Sequence, residues 1–268
     1  MDSLITVLSY PFIQRAIIAG CIIAISTAFL SVFVTLRNMS FYADAISHSA
    51  LAGIAIGIML GVAPFPAAIV FCVFLGLGTV YIKNRSTVSI DTIIGVLFAA
   101  GISLGVALIS RLQEFRTDLF TFLFGDVLAV TWNDILVSTV LTIVILIYLL
   151  YTSKQLLLST FSEDFSIVRG IKTVWLEYSF FAITALTIAM SIKVVGIILI
   201  TGLLIIPGAI GKNLGKSFKQ TVFWSLIFSV FSAISGIIIS YYLDIPSGPS
   251  IILVGASCFI ITTIIRRR

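Results

Sequence analysis

Nine stretches of roughly 20 mostly apolar residues, separated by short charged breaks, leave this chain little choice of fold. They cover about residues 13–36, 44–62, 64–82, 92–110, 135–152, 174–192, 194–210, 221–243 and 249–265. As helices, such runs match the hydrocarbon thickness of a bilayer. The split near Ser191-Ile192-Lys193 divides two short runs, so eight spans is the competing count. Only 10% of the 268 residues are charged, against about 25% in a soluble domain. The expectation is an all-α integral membrane protein, one transmembrane domain over residues 1–268, with no separate soluble domain.

The basic residues orient the spans. With Arg266-Arg267-Arg268 in the cytoplasm, alternation puts Arg37, Lys83, Arg85, Lys154, Arg169, Lys172, Lys212, Lys216 and Lys219 there too. Arg15, Arg111, Arg116 and Lys193 fall outside. Positive residues gather in cytoplasmic loops, so the N-terminus is expected outside and the C-terminus inside. The same bias accounts for the net charge of +5 without invoking nucleic acid. Met1-Asp2-Ser3-Leu4 lacks a positive n-region, so no cleaved signal is expected. The segment Arg111–Asp134, which contains Phe124-Gly125-Asp126, reads as a re-entrant or surface segment on the outer side.

One pair of residues is out of keeping with so apolar a chain. His48 is the only histidine, and it follows Asp44 by four positions at the start of the second span. Residues four apart share a helix face, about 6 Å apart along the axis. An Asp at a membrane-helix centre costs about 2.5–3.5 kcal/mol, so such residues generally mark a transport pathway. Imidazole and carboxylate together suit Zn²⁺ or Mn²⁺, and Zn²⁺ favours four ligands. One copy cannot supply a histidine-rich cage, whereas a two-fold dimer would bring two Asp and two His to its axis. A local polar pair bonded to neighbouring helices is the plainer alternative. Gly53, Gly57 and Gly61 form a GxxxGxxxG stripe on the opposite face, the pattern of close helix packing.

Other chemistry is poorly served. Lys212-Asn213-Leu214-Gly215-Lys216-Ser217 resembles a phosphate loop, but Gly211 stands one residue too close to Gly215 and no strand precedes it. The chain therefore carries no nucleotide site, and any use of ATP needs a partner. Cys21, Cys72 and Cys258 are isolated in apolar runs. HExxH does not occur and no Ser/His/Asp arrangement is visible, so an enzyme is not expected.

Four blocks resemble the permease subunits of bacterial ABC importers for zinc, manganese and iron(II). They are Pro11-Phe12-Ile13-Gln14-Arg15-Ala16; Leu36-Arg37-Asn38-Met39-Ser40-Phe41 leading to Asp44-Ala45-Ile46-Ser47-His48; Leu203-Leu204-Ile205-Ile206-Pro207; and Asp244-Ile245-Pro246-Ser247-Gly248. The resemblance implies a fold similar to the cobalamin and siderophore importer permeases, with one N-terminal helix fewer. It also implies a homodimeric pore, a cytoplasmic ATP-binding subunit, an extracytoplasmic metal-binding protein, and a pathway lined by Asp44 and His48. No cofactor is expected to stay bound; the metal, Zn²⁺, Mn²⁺ or Fe²⁺, is cargo. The coupling segment to the ATPase falls at about 159–172, with Phe161, Glu163, Asp164, Phe165, Arg169 and Gly170 as its contacts. Its acidic start and basic end fit a short helix. Leu51-Ala52-Gly53 is similar to zinc-type members, where many manganese-type members have Leu-Pro-Gly. Gly208-Ala209-Ile210-Gly211 departs from the family's Ala-Ala-x-Ala, so no gating role is carried there. A proton-coupled secondary metal transporter is the competing class, although no inverted repeat is visible.

Overall fold

The computed structural model describes residues 4–111 and 130–266. Among the described residues the chain is built of eleven helices: α1 Leu4–Ser9, α2 Pro11–Leu36, α3 Tyr42–Met59, α4 Pro64–Lys83, α5 Ile90–Ile109, α6 Trp132–Phe161, α7 Glu163–Val168, α8 Thr173–Val195, α9 Ile197–Leu214, α10 Phe218–Leu243 and α11 Ser247–Arg266. Eight of them are long and apolar enough to cross a membrane, and Leu199–Leu214 of α9 is a shorter apolar helix. The competing count of eight thus holds by length, with a ninth apolar helix beside it. The outer segment expected at Arg111–Asp134 lies largely outside the described residues.

The sixth span ends later than its charge suggested. Lys193 does not break α8, because its ammonium donates to Asp134 at 2.6 Å. The break comes at Gly196, whose φ of +82° is left-handed and favours glycine. The other helix ends have equally local causes. Ser89 caps α5 by accepting from the Thr92 amide at 3.3 Å, and Ser217 caps α10 by accepting from Gln220 at 3.4 Å. Pro64 opens α4, where its missing N–H goes unneeded.

The described residues group into two compact units. The first holds α1, α2 to Thr35, the part of α6 up to Leu146, and everything from Ser191 onward. In it α9, α10 and α11 pack pairwise. Hydroxyls stitch its helices through backbone carbonyls: Ser229 donates to Ala24 at 3.0 Å, Thr142 to Ile22 at 3.2 Å and Ser225 to Pro207 at 2.8 Å. Without water, such bonds are among the few polar contacts open to membrane helices.

The second unit holds Leu36 through α5 together with Ile147–Met190. Its centre is α3, packed against α4 on one side and α5 on the other. Glycines set both distances. A Cβ at Gly53 would lie 2.7 Å from the Ala68 Cα, and one at Gly57 would lie 2.7 Å from the Ala67 Cβ, so α4 fits only against bare backbone there. On the far side the glycines belong to α5. A Cβ at Gly101 would lie 1.8 Å from the Ser49 Oγ, and one at Gly105 would lie 3.2 Å from the Ala52 nitrogen.

Gly61 does not continue the packing stripe. It follows the end of α3 at φ +68°, with nothing within 4 Å of a Cβ built on it. Its amide donates to Ile58 at 3.1 Å and the Val62 amide donates to Gly57 at 3.0 Å. That is the Schellman pattern, and Gly61 terminates the helix.

Candidate metal pathway and coupling segment

Asp44 sits in the first turn of α3, and His48 one turn further in. Both side chains are half-exposed, while most of their neighbours on the helix are buried. The helix-centre cost therefore does not apply to Asp44. Its carboxylate lies at the positive end of the α3 dipole, where a negative charge is favoured. Among the described residues, neither side chain makes a hydrogen bond or ion pair, so the plainer reading of a bonded polar pair has no partner there. The His48 ring meets Phe98 of α5 edge-on, with centroids 5.5 Å apart. Phe98 was not among the residues singled out from the sequence, and no polar signal marks it.

Two free donors one turn apart, held by a helix clamped on both flanks, can bind a divalent cation only partially. Among the described residues, no three His, Cys, Asp or Glu side chains gather into a metal-binding group.

The turn before α3 is rigidly anchored. Asn38 takes a left-handed φ of +54°, and Met39 is buried. The Arg37 guanidinium lies over the Phe180 ring at 5.0 Å, and the Tyr42 hydroxyl donates to the Phe181 carbonyl at 2.9 Å. Arg37 also donates from Nε to the Thr160 hydroxyl at 3.1 Å and from Nη2 to the Ser159 hydroxyl at 2.8 Å. Burial lowers the Arg37 pKa from its usual value, opposed by the charges of Glu177 and Glu163. Lys83, at the end of α4, forms an ion pair with Glu177 of α8.

The coupling segment contains a separate short helix, α7, but it begins later than the motif. Ser159, Thr160 and Phe161 are the last turn of α6. Ser162 then caps α7 by accepting from the Phe165 amide at 3.2 Å, with Glu163 and Asp164 in its first turn. Arg169 closes the helix and stacks over Phe165 at 4.8 Å, and Gly170 reverses the chain at φ +76°. Phe161 is 77% exposed and Phe165 48%. An apolar surface of this kind beside basic residues suits contact with another protein better than with water.

Comparison with known proteins puts these features in context. The model of the ABC 3 transport family matches residues 9–266. The chain is similar to the high-affinity zinc uptake system membrane protein ZnuB of Haemophilus influenzae, 37% identical over 259 residues, covering 97% of this chain and 99% of that protein. It is also similar to the manganese transport system membrane protein MntC of Halalkalibacterium halodurans, 34% identical over 252 residues, covering 94% of this chain and 86% of that protein. Among solved structures it resembles a chain of PsaBC from Streptococcus pneumoniae in complex with Fab. There the TM-score is 0.84 at 33% identity, over 96% of this chain and 93% of that one.

Proposed function

The chain belongs to the ABC 3 transport family, and from that premise we propose that it is the permease of an ATP-driven importer of divalent metal, with zinc as the preferred cargo. It is a multi-pass membrane protein and a transport subunit of metal ABC importers. The observation that carries the finer reading is the Asp44–His48 pair, half-exposed and unbonded, one turn apart on the most tightly clamped helix of its unit. Relatives named for zinc and for manganese lie at 37% and 34% identity. The preference for zinc therefore rests on the Leu51-Ala52-Gly53 motif, similar to zinc-type members.

In this reading two copies face each other across the pathway. Each brings one Asp and one His, and together they offer the four donors that Zn²⁺ favours. The face of α5 beside the His48–Phe98 contact supports a second copy. Gly95, Ala99 and Ser103 recur there at helical spacing, all exposed and all small. The cytoplasmic ATP-binding subunit docks on α7, with Phe161 and Phe165 as its anchors, and an extracytoplasmic protein delivers the ion. The N-terminus lies outside and the C-terminus in the cytoplasm. Rigid-body rocking separates the copies and returns each to two donors, which lowers affinity and releases the ion inward.

The test is uptake of radioactive zinc by the complex reconstituted with its ATPase and binding protein. His48→Ala and Asp44→Asn should each reduce uptake at least tenfold while the complex still assembles. Excess manganese and iron(II) should compete less well than unlabelled zinc. Normal uptake by His48→Ala would sink the assignment. Uptake that needs no ATP and collapses with a protonophore would favour the proton-coupled class.

A further inference from the structure

Arg37 belongs to none of the roles assigned so far, yet its contacts are those of a junction. It lies between the last residue of α2 and the first of α3. Its fork holds Ser159 and Thr160, in the turn of α6 that leads directly into α7. Its plane lies on Phe180 of α8. Five residues further on, Tyr42 is tied to the neighbouring Phe181, and Asp44 follows two residues later. All these residues lie within one compact unit.

The surroundings of Arg37 argue against a purely static brace. Arg37, Lys83, Glu163 and Glu177 line a cavity of about 230 Å³, together with Ser159 and Thr160. Among the described residues, Lys83 and Glu177 pair with each other, whereas Arg37 and Glu163 have no oppositely charged group at ion-pair distance. A part-buried guanidinium is commonly matched by a carboxylate, because an unmatched charge drawn away from water is costly. Here it is held by two hydroxyls, a carbonyl and a ring face, while the first residue of α7 lines the same cavity. These bonds join the end of α6 to the root of α3.

We infer that Arg37 is a positioning residue that transmits displacement of α7 to the Asp44–His48 turn, so that nucleotide binding on the ATPase subunit changes metal affinity in the permease. The inference rests on the proposed transport reading. The planar fork matters as much as the charge: a guanidinium can hold Ser159 and Thr160 together, whereas an ammonium cannot reproduce that geometry.

The experiment measures zinc bound at equilibrium to the purified complex, with and without a non-hydrolysable ATP analogue. In the wild type the analogue should change zinc affinity at least tenfold. In Arg37→Gln the nucleotide-free affinity should stay within twofold of wild type, and the response to the analogue should fall below twofold. Arg37→Lys should restore less than half of the response. Should Arg37→Gln fail to assemble, the double variant Ser159→Ala/Thr160→Val, which keeps the charge but removes both hydroxyl acceptors, must show the same loss of response. A wild-type response in either variant overturns the inference, as does a loss of nucleotide-free binding, which would make Arg37 merely structural. An absent response in the wild type also overturns it. His48→Ala separates the two levels: if it binds zinc as well as wild type without nucleotide, the metal assignment fails, whatever Arg37 does.

Discussion

Replacing Gly101 by Ala tests how tightly α3 is clamped. The added Cβ would sit 1.8 Å from the Ser49 Oγ and 2.8 Å from the Ser49 Cβ. Rotating the hydroxyl relieves the first contact but not the second, which falls about 1 Å short of ordinary carbon–carbon contact. The two helices must part by about that amount, and such overpacking costs roughly 1–3 kcal/mol. Alanine is the better helix former by about 1 kcal/mol, which offsets part of the loss. A net destabilisation of up to about 2 kcal/mol is expected on these figures. Ser49→Gly supplies the control. Its hydroxyl is buried without a partner, so removing it breaks no hydrogen bond and makes room for the new methyl. The pair Ser49→Gly and Gly101→Ala should then show a favourable coupling of about 1–3 kcal/mol, the overpacking relieved, in a double-mutant cycle. The assay is reversible unfolding in mixed detergent and SDS, followed by circular dichroism. A cycle that is simply additive would refute the packing argument. Because Phe98 rides on α5 three residues before Gly101, zinc uptake should fall along with stability.

Three further outcomes are expected. Gly61→Ala should destabilise by roughly 1–2 kcal/mol through the left-handed backbone alone, since no atom crowds its Cβ; the same unfolding assay checks it, and uptake at permissive temperature should be unchanged. Phe165→Ala with Phe161→Ala should weaken capture of the ATPase subunit at least tenfold in co-purification while leaving unfolding of the permease in place. A complex carrying one wild-type copy and one His48→Ala copy should transport as poorly as the doubly substituted one if a single ion is shared; half of normal transport would mean that each copy works alone.

Much of the fold could be read from the chain because lipid makes length and apolarity nearly sufficient. The runs beginning at 44, 64, 92 and 221 reappear as helices displaced by a few residues. The reading slipped where a charge found a partner that the sequence cannot display. Lys193 looked like a helix boundary, and its ion pair with Asp134 spans 59 positions. Gly196 is three residues away, but a glycine at φ +82° looks no different from one inside a helix until the backbone is seen. Gly61 failed for the same reason. The GxxxG spacing carried it on from Gly57, whereas the helix stops at Met59 and uses Gly61 to close the turn. The complementary spacing Gly101-x-x-x-Gly105 was equally visible and marks the other clamp.

The site was legible to the extent that its chemistry is rare in a membrane. A lone histidine one turn from a carboxylate needs no structure to be noticed. What the structure adds is how the root of that turn is fastened. Residues 37–42 are only six in number, yet they fasten the root of α3 to Phe180, Phe181, Ser159 and Thr160. A transported ion must be bound and then released, so the ligands cannot be held on an independent, fully rigid support. On the proposed reading, with two donors per copy, affinity would depend on how closely two α3 helices approach, and that approach on where their roots are anchored. In that reading, anchoring them to the turn that precedes α7, rather than to α4 and α5 alone, would put metal affinity under the control of whatever presses on α7. One histidine per chain is then sufficient: a complete ligand set on a single copy would hold the ion however the helices moved.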